Sequence, residues 1–268
     1  NGVEVLLKDN PSLQADMVVL AIGVTPDTAL AKEAGLELGI KGSIVVNDRM
    51  ETSVPDIYAA GDAVQVKHYV TGDDALISLA GPANKQGRII ADNICGGDSR
   101  YLGSQGSSVI KVFDMTAATT GINETNAKKS GLEVDTVILS PMSHAGYYPG
   151  GKVMTMKVVF EKESYRLLGA QIIGYEGVDK RIDVLATAIH AGLKATQLKD
   201  LDLAYAPPYS SAKDPVNMAG FMIDNIAKGT LKQWHLEDMD KISKDKSVVL
   251  LDVRTVGEFN RGHMDGFK

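Results

Sequence analysis

A chain of 268 residues is long enough for about two domains of ordinary size. Apolar residues make up 44% and charged residues 23%, and a net charge of -6 with no basic stripe gives no reason to expect a nucleic-acid partner. No apolar run approaches the roughly 18 residues that span a bilayer as a helix, and the single cysteine, Cys95, excludes an intrachain disulfide framework and suits a reducing, cytoplasmic compartment.

In chain order, Val3 to Leu7 reads as a short strand. Asp16 to Gly23 reads as a buried strand, because its apolar run is continuous and is then broken by Gly23 and Pro26. Thr28 to Ala34 is predicted to be a short helix, with Ile44 to Val46 and Ile57 to Ala60 as further strands. A longer helix is expected over Leu79 to Cys95, with Ile89, Ile90 and Ile94 at helical spacing and Gly96-Gly97 ending it. Small residues from Ser104 to Ser108 suggest a boundary. Beyond it come a strand (Val109 to Phe113), a helix (Glu124 to Lys129, then Gly131) and a strand (Val134 to Leu139). Val153 to Phe160 and Leu167 to Ile173 flank a polar turn and predict a β-hairpin. Val178 to Ala191 has helical periodicity ending at Gly192, and Asp214-Pro215 opens a second helix to Ile226. Lys228 to Lys246 reads as a charged linker around Trp234, and Ser247 to Val253 as a new strand. The first residues feed a strand without an initiator Met and the last stop mid-pattern, so a fragment of a longer protein is expected.

Three segments in the first half could bring backbone close to a ligand. Ile57 to Ala63 ends in small residues and Gly61-Asp62; an Asp at a strand's carboxyl end can accept hydrogen bonds from sugar hydroxyls. An ordinary strand with an Asx turn has the same pattern. With Thr52 to Asp56 before it, however, the run TSVPDIYAAGDA resembles the second FAD-binding motif of the pyridine nucleotide-disulfide reductases. That resemblance implies that Asp62, with Gly61 and Ala63 beside it, binds the ribityl chain of FAD. Val19 to Pro26 is similar to the strand by which that family returns from the NAD domain to the FAD domain, with Gly23 permitting close approach to the nucleotides. In Leu79 to Arg88, Gly81, Pro82 and Ala83 lie at a helix start, whose free N–H groups favour electron-rich atoms. In the family this start meets the pyrimidine side of the flavin.

Two aromatic loops follow, Ser143 to Gly150 and Leu203 to Ser210. Such loops also suit interface packing with no chemical role. Both resemble loops of the coenzyme A-disulfide reductases, in which two Tyr hydroxyls from one subunit reach the active site of the other. Tyr147 and Tyr205 are the matching positions, and a phenol there can donate a proton to a thiolate leaving group. The glutathione reductase branch carries a His-Pro and then a Glu at this place. Here the stretch reads Tyr205-Ala206-Pro207, so the coenzyme A-type branch is favoured.

Leu250 to Phe259, followed by Gly262-His263, resembles the opening motif of a rhodanese domain, where it supports the fold. Cys95 falls at a helix C-terminus, which raises a thiol pKa, and reads as a packing residue. His68, His190 and His235 have no partner at metal-ligand spacing, packing is the reading for His144, and no metal site is expected.

The implied fold is α/β and α+β. Residues 1–23 would end an NAD(P)H-binding domain, 24–105 form the C-terminal part of an FAD-binding domain, 106–228 a dimerisation domain, 229–244 a linker and 245–268 the start of a rhodanese domain. The parent would be a homodimeric, cytoplasmic flavoprotein with no nucleic-acid or membrane partner. It would use FAD and NAD(P)H to reduce coenzyme A disulfide, persulfide or polysulfide. The alternative activity is an NADH oxidase reducing oxygen or peroxide. The chain has no Gly-rich FAD-ADP motif, redox Cys or NAD(P)H Gly-rich loop. By itself it is expected to be a non-catalytic dimerisation module without stably bound FAD; visible flavin absorbance in the purified chain would contradict this.

Overall fold

The computed structural model describes residues 2–268. The strands are β1 (Val3–Val5), β2 (Leu13–Ala15), β3 (Ile44–Val45), β4 (Val64–Lys67), β5 (Asp74–Ala75), β6 (Ser108–Val112), β7 (Met115–Gly121), β8 (Val134–Leu139), β9 (Met154–Glu161) and β10 (Leu167–Gly174). The helices are α1 (Ala29–Glu33), α2 (Ala80–Ile94), α3 (Glu124–Lys129), α4 (Val178–His190), α5 (Pro215–Ala227), α6 (Met239–Ile242) and α7 (Val256–Arg261). Strand order is β1-β2 in one sheet, β3-β4-β5 in a second and β6-β7-β10-β9-β8 in the largest. The residues divide into two units, one running to Ile110 with Ala118–Ile122, the other comprising Lys111–Ala117 and Asn123–Lys268.

In the first unit, β3 pairs with β4 in parallel and β5 pairs with β4 antiparallel. Met50, Val64 and Val66 form a buried cluster against which Ile89 and Ile90 of α2 pack. Ile94 is exposed: it points away from this cluster although its spacing suggested the same face. Asn93 ties the end of α2 down, donating to the carbonyls of Arg49 and Ser99 while its own carbonyl accepts from the Ser99 N–H. Two strand expectations fail here. Asp16 to Gly23 contains no strand, since β2 ends before it at Ala15, and Val19, Leu20 and Ile22 are at least three-quarters exposed (75%, 78% and 84%). A continuous apolar run suits a strand covered on both faces, and no described strand pairs with it. Ile57 to Ala60 is reduced to one bridge, Tyr58 to Glu51, because the chain turns at once into the Gly61 turn.

In the second unit, β9 and β10 form the expected antiparallel hairpin, and β8 pairs with the other edge of β9. Along β9, Met154, Met156, Val158 and Phe160 are buried on one face, while Thr155 is exposed. Helix α4 packs on β10 and α5 on β8. Burial of each large side chain in this core contributes about 1.5–3 kcal/mol. Helix α5 begins as the Asp-Pro pair implies: the Asp214 carboxylate accepts from the Val216 N–H at 3.0 Å, with Pro215 at the first position. Ser247 to Val253, expected as a strand, is not one: Val248 bonds back to Asp245 in a turn, Leu250 and Asp252 bond to Lys268, and Val249, Leu251 and Val253 are exposed.

Two stability predictions arise from this unit. Gly220 of α5 faces the backbone of Lys199 and Leu198, and a methyl group there would lie 2.2 Å from the Lys199 nitrogen. Alanine ordinarily favours a helix over glycine by about 1 kcal/mol. Here Gly220→Ala destabilises by about 3 kcal/mol, because two backbones must part; a urea midpoint unchanged or raised would contradict this. Glu124, at the start of α3, accepts from Lys128 at 2.6 Å and from Lys157. These hydrogen bonds, with the charges of both lysines, hold its carboxyl at about 2 against an ordinary 4.5. A depressed folded-state pKa stabilises above the unfolded value and loses that stabilisation as pH falls through the folded one. Glu124→Gln should cost about 1 kcal/mol at pH 7 and nothing once both pKa values lie above the pH; equal losses at pH 7 and at pH about 2 would refute it.

No helix among the described residues is long and apolar enough to cross a membrane.

Candidate functional site

The two sets of candidate residues lie in different units. In the first unit, the turn after Tyr58 places Gly61 at φ +88, a left-handed conformation that glycine adopts without strain. Its N–H donates to Gln86 Oε1 at 2.7 Å, and Gln86 is buried in the body of α2. Ser78, just before α2, donates through Oγ to the carbonyl of Asp62 at 3.3 Å. The segments around Asp62 and around Gly81 are therefore joined twice. The Asp62 side chain is exposed, and among the described residues no hydrogen bond to its carboxylate is found. Ala63 accepts at its carbonyl from the Ile44 N–H at 2.8 Å, which anchors the turn to β3. Gly81 is exposed, and Pro82 and Ala83 are half-buried in the first turn of α2. A left-handed glycine, a carboxylate open to solvent and a helix N-terminus held beside it fit the ribityl and pyrimidine parts of a flavin. Gly23 also has positive φ, +88, but lies in the exposed segment with no described contact to this turn.

The sequence did not single out Gln86. Its signal was faint: an amide on a helix face otherwise lined by Ile89 and Ile90. Cys95 caps α2 as expected, but it is exposed rather than packed. Among the described residues no group of three or more His, Cys, Asp or Glu could hold a metal.

In the second unit, the first aromatic loop is closed at its base, where the Ser143 N–H donates to the Lys152 carbonyl at 2.7 Å and Ser143 Oγ accepts from the Lys152 N–H at 3.1 Å. His144 is buried in it, its Nε2 3.2 Å from the Pro149 carbonyl and its ring edge-on to Tyr148 at 5.7 Å. This bears out a packing role. The second loop turns at Ala206, whose carbonyl accepts from the Tyr209 and Ser210 N–H groups. The two loops are joined by the Ala145 N–H, which donates to the Ser210 carbonyl at 3.0 Å. At their tips the hydroxyls of Tyr147 and Tyr205 meet at 2.6 Å. Both rings are exposed, Tyr147 at 76% and Tyr205 at 44%. The bond from Tyr147, then partial desolvation and repulsion between the two phenols, raises the Tyr205 pKa above 10. Tyr205 therefore keeps its proton at neutral pH. One O–H forms the bridge, which leaves the other hydroxyl with a proton to donate.

Beneath the loops lies a group that sequence patterning missed. Arg181 of α4 is 1% exposed. Its guanidinium donates to Asp214 Oδ2 (2.9 and 3.2 Å), the Ser143 carbonyl (2.9 Å), Ser210 Oγ (3.1 Å), the Gly177 carbonyl (3.2 Å) and the Tyr209 carbonyl (3.3 Å). The available signal was an arginine inside the apolar stripe Val178, Ile182, Leu185, Ile189.

The chain matches two family models. Residues 1–87 match the pyridine nucleotide-disulphide oxidoreductase model and residues 107–215 match the dimerisation domain of the same family. The chain belongs to the pyridine nucleotide-disulphide oxidoreductase family. Within that family it is 39% identical over 214 residues to the NAD(P)H sulfur oxidoreductase (CoA-dependent) of Pyrococcus furiosus, covering 80% of this chain and 48% of the relative. It is 36% identical over 223 residues to a coenzyme A disulfide reductase of Staphylococcus aureus, covering 82% and 50%. The chain thus spans about half the length of these relatives. The crystal structure of reduced Bacillus anthracis CoADR-RHD superposes with a TM-score of 0.94 at 48% identity, over 99% of this chain and 48% of that one. The α/β and α+β architecture expected from the sequence is that of this oxidoreductase family.

Proposed function

We propose that this chain is part of a reductase that uses NAD(P)H and FAD to reduce coenzyme A disulfide, persulfide or polysulfide, and that Tyr147 and Tyr205 supply the proton taken up by the departing sulfur. The observation that carries this is the 2.6 Å bond between the two hydroxyls at the tips of separate loops. Reducing a disulfide breaks one S–S bond with two electrons, leaving two sulfurs that each take up a proton, while the reduced nicotinamide is oxidised. A thiolate is a far better leaving group when a donor lies at hand, and a paired phenol is such a donor at neutral pH. FAD, when bound, supplies the two-electron relay between nicotinamide and sulfur. In this chain Asp62 would accept from its ribityl hydroxyls, Gly61 and Ala63 would allow the backbone to approach, and Gly81, Pro82 and Ala83 would bring the N-terminal end of α2 to the ring. Gly23 would sit near the nucleotides only once its segment is paired.

A homodimer through residues 106–228 is supported by the dimerisation-domain match over 107–215. Residues 245–268 are read as the start of a rhodanese domain. In support, Arg254 bonds both Asp252 Oδ2 (2.6 Å) and the Gly262 carbonyl (2.9 Å), knitting the motif's separated parts together.

The test is to supply the flavin-loaded full-length protein with NADH, once with coenzyme A disulfide and once with oxygen alone. Rapid NADH oxidation with the disulfide and slow oxidation with oxygen supports this reading. Fast oxygen consumption with no response to the disulfide would make the protein an NADH oxidase.

A further inference from the structure

We infer that Arg181 is the positioning residue for the tyrosine pair: its buried guanidinium pins both aromatic loops so that the Tyr147 and Tyr205 hydroxyls meet. This rests on reading those hydroxyls as the proton source. The geometry behind it is independent of chemistry at the tips. From one buried side chain, hydrogen bonds go to Ser143 at the base of the first loop and to Tyr209 and Ser210 at the end of the second. Ser143 is four residues from Tyr147, and Tyr209 is four from Tyr205. The neighbouring Lys180 reaches the Ala204 carbonyl at 3.4 Å, so α4 grips the second loop on both sides of its turn.

The surroundings are built for the guanidinium. A Cβ at Gly177 would lie 2.1 Å from Arg181 Nη1, and Gly177 itself has φ +68, so glycine there serves both the helix start and the space the cation occupies. Asp214 balances the charge from the start of α5, and Ser210 Oγ donates to the same carboxylate oxygen at 2.7 Å. A planar fork with five N–H donors can satisfy acceptors in several directions at once; a lysine ammonium cannot span them. A single arginine thus couples the register of two loops whose tyrosines are 58 residues apart.

The experiment uses Arg181→Lys, which keeps the buried charge beside Asp214 but cannot reach both loops. In the full-length protein it should lower kcat with coenzyme A disulfide by about 30-fold, less than outright loss of a positioned proton donor costs, with KM changed less than about threefold. In a Tyr147→Phe/Tyr205→Phe background it should lower kcat less than about twofold, since nothing remains to align. Equal losses in both backgrounds would overturn the inference and leave Arg181 a general structural residue. A second readout does not involve turnover. The phenolate absorbance of Tyr205, taken as the difference from Tyr205→Phe protein, should titrate above the ordinary phenol range in the parent and fall toward it in Arg181→Lys. An unchanged titration would also overturn the inference. If the double Phe variant keeps full turnover, the proton-source reading fails by itself, and the titration still decides whether Arg181 joins the hydroxyls. Ser210→Ala, which removes one anchor of the second loop and leaves both members of the buried charge pair in place, should show the same titration change to a lesser degree should Arg181→Lys fold poorly; no change would count against the inference.

Discussion

Replacing Asp214 with Ala lowers the unfolding free energy of the second unit by about 3–5 kcal/mol. Asp214 is 3% exposed and Arg181 1%, and they bond at 2.9 Å. Bringing both charges out of water is costly, and their attraction with the surrounding hydrogen bonds only offsets that cost. Removing the carboxylate alone leaves an uncompensated cation in the core. It also removes the acceptor for the Val216 N–H at the start of α5, worth about 1 kcal/mol. Asp214→Asn retains a capping oxygen and should lose less than Ala, and that ordering separates the charge from the cap. The measurement is urea unfolding of the three proteins at neutral pH. A loss below about 1 kcal/mol for Ala would mean that water or another group reaches Arg181.

The second large effect concerns turnover. In the full-length protein, Tyr147→Phe and Tyr205→Phe should each lower kcat for coenzyme A disulfide by about 100-fold, the lower end of the range for losing a positioned proton donor. The double variant should fall little further, because the two phenols act as one unit and the first removal already breaks it. Phe keeps the ring and the loop packing, so stability should hardly move. The pH dependence has a definite sign. A donor must be protonated to act, and Tyr205 is held above 10 by its bond to Tyr147. The parent rate should therefore be insensitive to Tyr205 through neutral pH and decline through it only in the alkaline range. Independent, multiplicative losses in the two single variants would show that the hydroxyls work separately.

What was legible in the sequence follows from where each element finds its cover. Helices α3, α4 and α5 and strands β8, β9 and β10 bury apolar faces within the second unit, so their periodicity and their punctuation at Gly131, Gly192 and Asp214-Pro215 are faithful. The runs Asp16 to Gly23 and Ser247 to Val253 are as apolar as buried strands, but pairing is a property of a sheet and not of one segment. Among the described residues neither has the neighbouring strands it needs. Strand β7 was passed over because Met115 to Gly121 is rich in Thr and Ala, a composition that signals neither a buried nor an amphipathic strand. The two tyrosines were reached through resemblance to a family, since no local pattern marks a loop phenol as chemical. Their bond to each other, and the arginine beneath them, depend on a tertiary meeting of α4 with two loops. Arg181 could be seen only as an exception in an apolar stripe, and an exception does not say what it is paired with.

The most direct measurement is a count of products. The flavin-loaded full-length protein, held without oxygen, is given a limiting amount of NADH with excess coenzyme A disulfide, and free thiol is assayed at completion. The proposed function predicts two coenzyme A thiols for each NADH consumed, with the initial rate strongly reduced in the Tyr147→Phe/Tyr205→Phe protein. Slow NADH consumption without thiol release, or full-rate thiol release from the double variant, would contradict it.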